Sequence, residues 1–410
     1  MSFFKRYQKI IKDVSYSLVA YALPTFALYF VVQPVIARYY SGEENGLFLT
    51  VLSIIRYLTN IFITPLATVR LLEKSRCIAN NKLDEKFNYI HAIVTIIGIL
   101  LTGIIVFSYS DHNDFISILL SLVFLVLLFF HDYYYILFRV NIDFKKISID
   151  NALIVLGFFV GLGLFTFFHY WQFVFITGYL AGSIYVFVQA RKALQIGKIH
   201  RIKTPEINKK YYELSVTSAL SYSITYCDKL LIYPVLGGNN VSIYNAAGVV
   251  SKVISVISIP VRNVLLSYIV DKDKIEIGRK PYRRIIALTP VVMALLVFVF
   301  SWIGVILCKY LYPMFYDEAV KFIPMIVGAI VINTTSGIIN LILLHFAKTS
   351  LQTIISIIRL VLYLALVFVF TYALHMGLWG FCWSTILTAS VCFAIIIILA
   401  KRHVKIKEQI

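Results

Sequence analysis

Apolar runs of about 20 or more residues recur along the chain between short polar turns and basic loops, the length a helix needs to cross a hydrocarbon core. The pattern predicts roughly twelve spans, near 14–36, 47–69, 89–109, 115–138, 150–169, 171–190, 213–236, 241–263, 285–308, 319–346, 350–373 and 377–400, with ends good to about four residues. All are helices, because in lipid only a helix or a closed barrel satisfies its own backbone, and the alternation of barrel strands is absent. The longest hydrophilic stretch, Arg191 to Tyr212, falls between spans six and seven. The expected organisation is a six-helix half over 1–200, a cytoplasmic linker over 201–212 and a second six-helix half over 213–410.

Polar residues inside these spans recur at helical spacing. In span two, Ser53, Arg56, Tyr57, Asn60 and Thr64 share one face of a helix otherwise built of Leu, Ile and Phe, so that face meets protein or water. Span seven carries Ser215, Ser218, Tyr222, Thr225, Asp228 and Lys229; span eight carries Asn245, Gly248, Lys252, Ser255 and Arg262. Span ten adds Asn333, Ser336, Gly337 and Asn340, and span eleven adds Ser356, Arg359 and Tyr363. For the Ser, Thr and Asn residues the ordinary role is interhelical hydrogen bonding.

The charges are more telling, because an ion deep in a bilayer costs several kcal/mol unless it faces protein or a watery cavity. Arg56, Lys229, Lys252, Arg262 and Arg359 lie in spans, and only two acids, Asp132 and Asp228, occupy comparable positions. Arg56 and Lys252 sit about ten residues into their spans, close to the midplane at about 1.5 Å per residue, and Arg359 is similarly deep. Lys229 falls in the outer third, and Arg262 is within snorkelling reach of the inner interface. An excess of buried positive charge asks for an anionic ligand, so the candidate substrate-binding set is Arg56, Lys252, Arg359, Lys229 and Arg262. Polar lining or ion coupling is assigned to Asp228, Asn60, Thr225, Asn333, Asn340, Asp132 and His131. Asp228 could equally neutralise a neighbouring cation, and His131 beside Asp132 reads either as a proton relay or as a hydrogen-bonded histidine.

Composition closes off other classes. With 60% hydrophobic and 14% charged residues over 410 positions, the chain is a polytopic membrane protein and no soluble globule. Of its 38 basic residues, 30 fall in loops on one side if the N-terminus is cytoplasmic, against Arg38, Lys309 and Lys321 on the other, which places both termini in the cytoplasm. The net charge of +18 therefore reflects loops at an anionic leaflet, with no nucleic-acid-binding motif among them. The apolar stretch after Lys12 lacks an A-x-A cleavage pattern and is expected to stay as a signal anchor. The five cysteines form no C-x-x-C, so neither a disulfide nor a metal site is expected. Nucleotide-binding and hydrolase motifs are missing too, so no catalytic residues are assigned. Two small-residue pairs, Gly157 with Gly161 and Gly178 with Gly182, predict close helix packing, and Trp171, Trp302, Tyr310, Tyr312 and Trp379 are expected as interfacial anchors.

At an offset of 196 the turn Ala37-Arg-Tyr-Tyr-Ser-Gly-Glu-Glu-Asn-Gly-Leu-Phe48 faces Tyr233-Pro-Val-Leu-Gly-Gly-Asn-Asn-Val-Ser-Ile-Tyr244, an internal repeat whose axis would lie along the membrane normal. The first turn resembles the one after helix one of polysaccharide exporters in the multidrug/oligosaccharidyl-lipid/polysaccharide (MOP) superfamily. Asp228-Lys229 through Gly237-Gly238 to Tyr244-Asn245-Ala246-Ala247 is similar to that family's helices seven and eight, and Tyr133 to Arg139 with Phe144-Lys145 resembles its exit from helix four. Ser41 replaces the usual Leu-Gly pair, and Phe144 follows Asp143 where Glu-Lys is commoner.

The resemblance implies a MATE/MOP-like fold and, within it, the O-antigen and capsule repeat-unit flippases of the Wzx type. Such a protein would move undecaprenyl-pyrophosphate-linked glycan across a bacterial cytoplasmic membrane by alternating access, driven by a proton or sodium gradient and without a bound cofactor. Its expected partners are the lipid-linked glycan, membrane lipids, a polysaccharide polymerase and glycosyltransferases. Two rivals remain: a cation-coupled multidrug antiporter of the same superfamily, for which buried carboxylates are the expected signature, and an integral-membrane polymerase or glycosyltransferase, which generally needs a larger outside loop than this chain offers.

Overall fold

A computed structural model describes residues 22–73, 77, 81–109, 114–141, 143–191, 196, 198–199, 204–256, 258, 279–346 and 350–406. Among these the chain is helical, with no strand. Eight helices are long and apolar enough to cross a membrane, or nine if the bent pair Pro313–Ala319 and Ile323–Ile339, which meet at 82°, forms one broken span. The protein is a multi-pass membrane protein. The expected spans near 14–36 and 241–263 fall partly outside the described residues. The span expected at 213–236 is present inside the helix Pro205–Leu236. That helix is too polar to qualify by hydropathy, since Glu213, Asp228, Lys229 and a run of Ser, Thr and Tyr interrupt it.

The chain forms two compact units. Unit 1 comprises residues 1–40 and 47–230, and unit 2 comprises 41–46 and 231–410. The division by packing therefore falls within the helix Pro205–Leu236.

Unit 1 begins with a π-helical turn, Ala27–Val32, that runs into α1 (Gln33–Tyr39). It continues through α2 (Gly42–Leu58), a π-helical turn Thr59–Ile63, α3 (Thr64–Leu72), α4 (Asn81–Tyr109), α5 (Phe115–Tyr134), α6 (Ile136–Val140), α7 (Phe144–Phe168), α8 (Gln172–Ala190) and most of α9 (Pro205–Leu236). Side chains set several ends. Asp114 accepts from the Ser117 N–H at 3.0 Å and Asp143 from the Lys146 N–H at 3.2 Å, each filling an orphan donor at a helix start. His169 ends α7 in the left-handed conformation, φ 57°.

The expected close packing is present where α7 meets α8. A Cβ added at Gly157 would stand 2.6 Å from the Gly178 Cα, so neither position tolerates a side chain. The Thr177 hydroxyl donates to the Gly157 carbonyl at 2.8 Å across the same seam. At the base of α3, Arg70 is buried and donates to Asp84 and to the Tyr133 hydroxyl, both at 2.6 Å. This cation, counted from the sequence among the loop charges, is a buried structural ion pair.

Unit 2 contains α10 (Gly238–Ala247), α11 (Arg279–Leu311), α12 (Tyr316–Ala319), α13 (Ile323–Phe346), α14 (Ser350–Val367), a π-helical turn Phe368–Ala373 and α15 (Leu378–Ile406). Ile339 of α13 and Ile396 of α15 form a small core with Ile355 and Phe393 packed on it. The segment 41–46 packs here, on the start of α10. Glu43 accepts the Gly238 N–H at 2.6 Å, the Ser242 hydroxyl donates to the Gly42 carbonyl at 2.7 Å, and the Asn45 amide donates to the Ser242 hydroxyl at 2.9 Å. A Cβ at Gly46 would fall 2.0 Å from the Gly238 carbonyl oxygen, which explains the glycine on both sides.

Two aromatic expectations need correcting. Trp302 and Tyr310 are exposed as interfacial anchors would be, but Trp171 and Tyr312 are buried. Trp171 packs on Phe48, 5.0 Å between ring centroids, and on Phe124 and Phe175, so it is a core residue of unit 1.

Candidate functional site

In unit 1 the polar face of span two lies on a dense network. Arg56 donates to the Tyr179 hydroxyl from α8, with its guanidinium carbon 5.1 Å from the Tyr179 ring centroid. Asp132 of α5 acts electrostatically on the same guanidinium. His131 stands between two carboxylates: Nδ1 is 2.9 Å from Asp132 and Nε2 is 2.9 Å from Asp150 of α7. The Tyr179 and His131 rings meet edge-on at 5.4 Å. Gly182 makes room for the imidazole, since a Cβ there would lie 3.1 Å from its Cδ2.

The protonation of this cluster follows from donors and acceptors. An ionised carboxylate only accepts, and a neutral imidazole has one N–H, so both ring contacts are hydrogen bonds only when the imidazole is doubly protonated or one acid holds a proton. Asp150 has no exposed surface, and its second oxygen has no hydrogen-bond partner.

Next to Arg56 the helix widens into the π-helical turn Thr59–Ile63, a feature often found at functional positions. The Asn60 amide donates to the Arg56 carbonyl at 2.9 Å and to the Tyr226 hydroxyl of α9 at 3.2 Å. Tyr57 and Ser223 share a hydrogen bond of 2.6 Å. The face of α9 that meets span two is therefore Ser223 and Tyr226, whereas Thr225, expected in the lining, is exposed. Asp228 and Lys229, one turn further on, are half-buried.

Unit 2 places its polar residues differently. Arg359 of α14 donates to the Asn333 side-chain oxygen of α13 at 2.6 Å. Lys252 is half-buried in the helical stretch 250–256, just past a turn at Gly248 and Val249. Arg262 lies outside the described residues, as does the side chain of Asn340. No group of three or more His, Cys, Asp or Glu suited to a metal occurs among the described residues.

Asp150 and Tyr179 were missed from sequence. Asp150 stood at the expected edge of span five, where an acid is unremarkable, but α7 starts at Phe144 and carries it inward. A signal was available: Asp150, Ile154, Gly157 and Gly161 are spaced four, three and four apart, which puts the acid on the face that packs against α8.

No family model matches the sequence, and no curated protein matches it. Solved structures do. A multidrug resistance MATE family transporter of the MOP superfamily, in an inward-facing conformation, aligns with a TM-score of 0.67 at 13% identity over 95% of this chain and 98% of that one. The outward-facing conformation of such a transporter gives 0.62 at 13% identity over 98% and 96%. A MATE in complex with MaD5 gives 0.65 at 12% identity over 98% and 96%. The chain has the MATE fold. At these identities the likeness carries fold alone, and the chemistry rests on the residues described above.

Proposed function

We propose that this protein is a secondary transporter that flips undecaprenyl-pyrophosphate-linked oligosaccharide repeat units from the inner to the outer leaflet of a bacterial cytoplasmic membrane. The observation that carries the reading is the charge of unit 2: its expected spans hold Lys252, Arg262 and Arg359 and not one Asp or Glu. A pyrophosphate offers the charge and the acceptor oxygens that such cations bind most strongly. Alternating access would carry the sugars past these cations while the polyprenyl tail stays in lipid. Energy would enter in unit 1 as a proton exchanged at His131, Asp132 and Asp150, whose side chains are in contact.

A cation-coupled multidrug antiporter is the second reading. Asp150, a fully buried carboxylate with an unbonded oxygen, is the observation that favours it, because a cationic drug needs such a group. Proteoliposomes under a pH gradient separate the two. The flippase reading expects translocation of a fluorescent polyprenyl-diphosphate oligosaccharide and no uptake of a cationic dye. Dye transport without translocation of the lipid would establish the antiporter instead.

A further inference from the structure

A cleft of about 610 Å³ opens on unit 1 between the end of span two, the first half of α4 and the start of α9, away from the Arg56 cluster. Its lining mixes a few polar groups with an apolar wall. Lys86 and Asn208 are joined by Ser215 and three tyrosines as its polar groups, and Ile90, Ile93 and Ile97 are spaced along its α4 wall. Lys86 has a relative exposure of 2%. Its ammonium group donates to the Thr204 carbonyl at 3.0 Å and to the Thr204 hydroxyl, and among the described residues no carboxylate pairs with it. The neighbouring charges are taken: Asp84 binds Arg70 at 2.6 Å, and Glu73 binds Lys210 at 2.5 Å. A buried ammonium without a counter-ion is costly, and an anion supplied from outside the chain removes that cost.

We infer that this cleft is a binding site for an anionic phospholipid, with the headgroup phosphate on Lys86 and an acyl chain along α4. From Lys86 to Ile97 is about 16 Å at the helical rise, the length of a good part of an acyl chain. The charged side chains of Arg70, Asp84, Glu73 and Lys210 mark this end of the unit as the headgroup level, and Ile93 and Ile97, partly exposed, lie where hydrocarbon would cover them. A soluble phosphate would leave that apolar wall uncovered, so the occupant is a lipid and not a free anion. The inference stands apart from the transported cargo, because it uses none of the cations assigned to transport.

The test is lipid retention by the purified, delipidated full-length protein, measured by native mass spectrometry with phosphatidylglycerol, phosphatidylcholine and inorganic phosphate as probes. Wild type should bind phosphatidylglycerol about fivefold more tightly than phosphatidylcholine, the preference a single lysine near the headgroups confers. Lys86→Gln should abolish that preference, Lys86→Arg should keep it, and Ile93→Trp should weaken both lipids by filling the apolar wall. If Lys86→Gln does not fold, the wild-type comparison and Ile93→Trp still decide. Equal binding of the two lipids by wild type, an unchanged preference in folded Lys86→Gln, or displacement of the lipid by millimolar inorganic phosphate would each overturn the site.

Discussion

The arginines of the two units meet different partners. In unit 1, Arg70 is met by Asp84 and Tyr133, and Arg56 by Tyr179 with Asp132 close by, so both arginines have an anionic group at hand, whereas Lys86 meets the neutral oxygens of Thr204. In unit 2, Arg359 is met by the neutral oxygen of Asn333, and the expected spans of that unit contain no acid. A buried ion pair holds a fold together, and the proposed function takes the cations of unit 2 as contacts for an anionic ligand. On the proposed function, this difference would put proton handling in unit 1 and anion binding in unit 2.

The largest expected effect breaks a compensated pair. Asp84→Ala strands Arg70 in a buried site and should cost about 3–5 kcal/mol of stability. Thermal unfolding in detergent would show it, and an unchanged melting temperature would mean that the pair does not hold unit 1 together. Arg359→Ala should do the reverse, leaving the melting temperature near wild type while lowering transport of the lipid-linked glycan by about thirtyfold or more. Normal export by that variant would remove Arg359 from the site.

A smaller change is expected at the proton cluster. Asp150→Asn removes the ionisable carboxyl that meets His131 Nε2 and should slow gradient-driven transport about tenfold while leaving transport down a substrate gradient intact. An equal loss in both modes would make Asp150 a structural residue. At the helix seam, Gly157→Leu should destabilise unit 1 by about 1–3 kcal/mol through overpacking, which chemical denaturation can measure.

The least effect concerns Cys77, which lies between two spans. Burial, and after it Asp84, push its thiol up to about 12, so at neutral pH it stays protonated and reacts slowly with maleimide. A cysteine placed at Asn208 should label far faster. Comparable rates would show that the Cys77 environment is open.

The helical architecture was legible because hydrocarbon imposes a length and a composition that few sequences imitate. The packing of α7 on α8 was legible as well, from Gly157 and Gly178, since only small residues allow so close an approach. Other features depend on partners remote in sequence. Asp150 reaches His131 across 19 positions and Tyr179 reaches Arg56 across 123; the spacing to Gly157 and Gly161 puts Asp150 on the packed face but does not name its partner, and nothing local marks Tyr179. Trp171 looked like an anchor from its place at a helix end, but Phe48 and Phe124 from other helices, with Phe175 one turn along α8, bury it. The polar face of α9 was read one position away from Ser223 and Tyr226, the residues that meet span two.

The central claim is the division between anion binding in unit 2 and proton handling in unit 1. Its most direct test is the equilibrium affinity of purified protein for a polyprenyl-diphosphate oligosaccharide, compared among wild type, Arg359→Gln and Asp150→Asn at one pH. The account predicts that Arg359→Gln weakens binding about tenfold or more, as the loss of a charge-assisted contact requires, while Asp150→Asn binds as wild type does. Weakened binding in Asp150→Asn with unchanged binding in Arg359→Gln would contradict it.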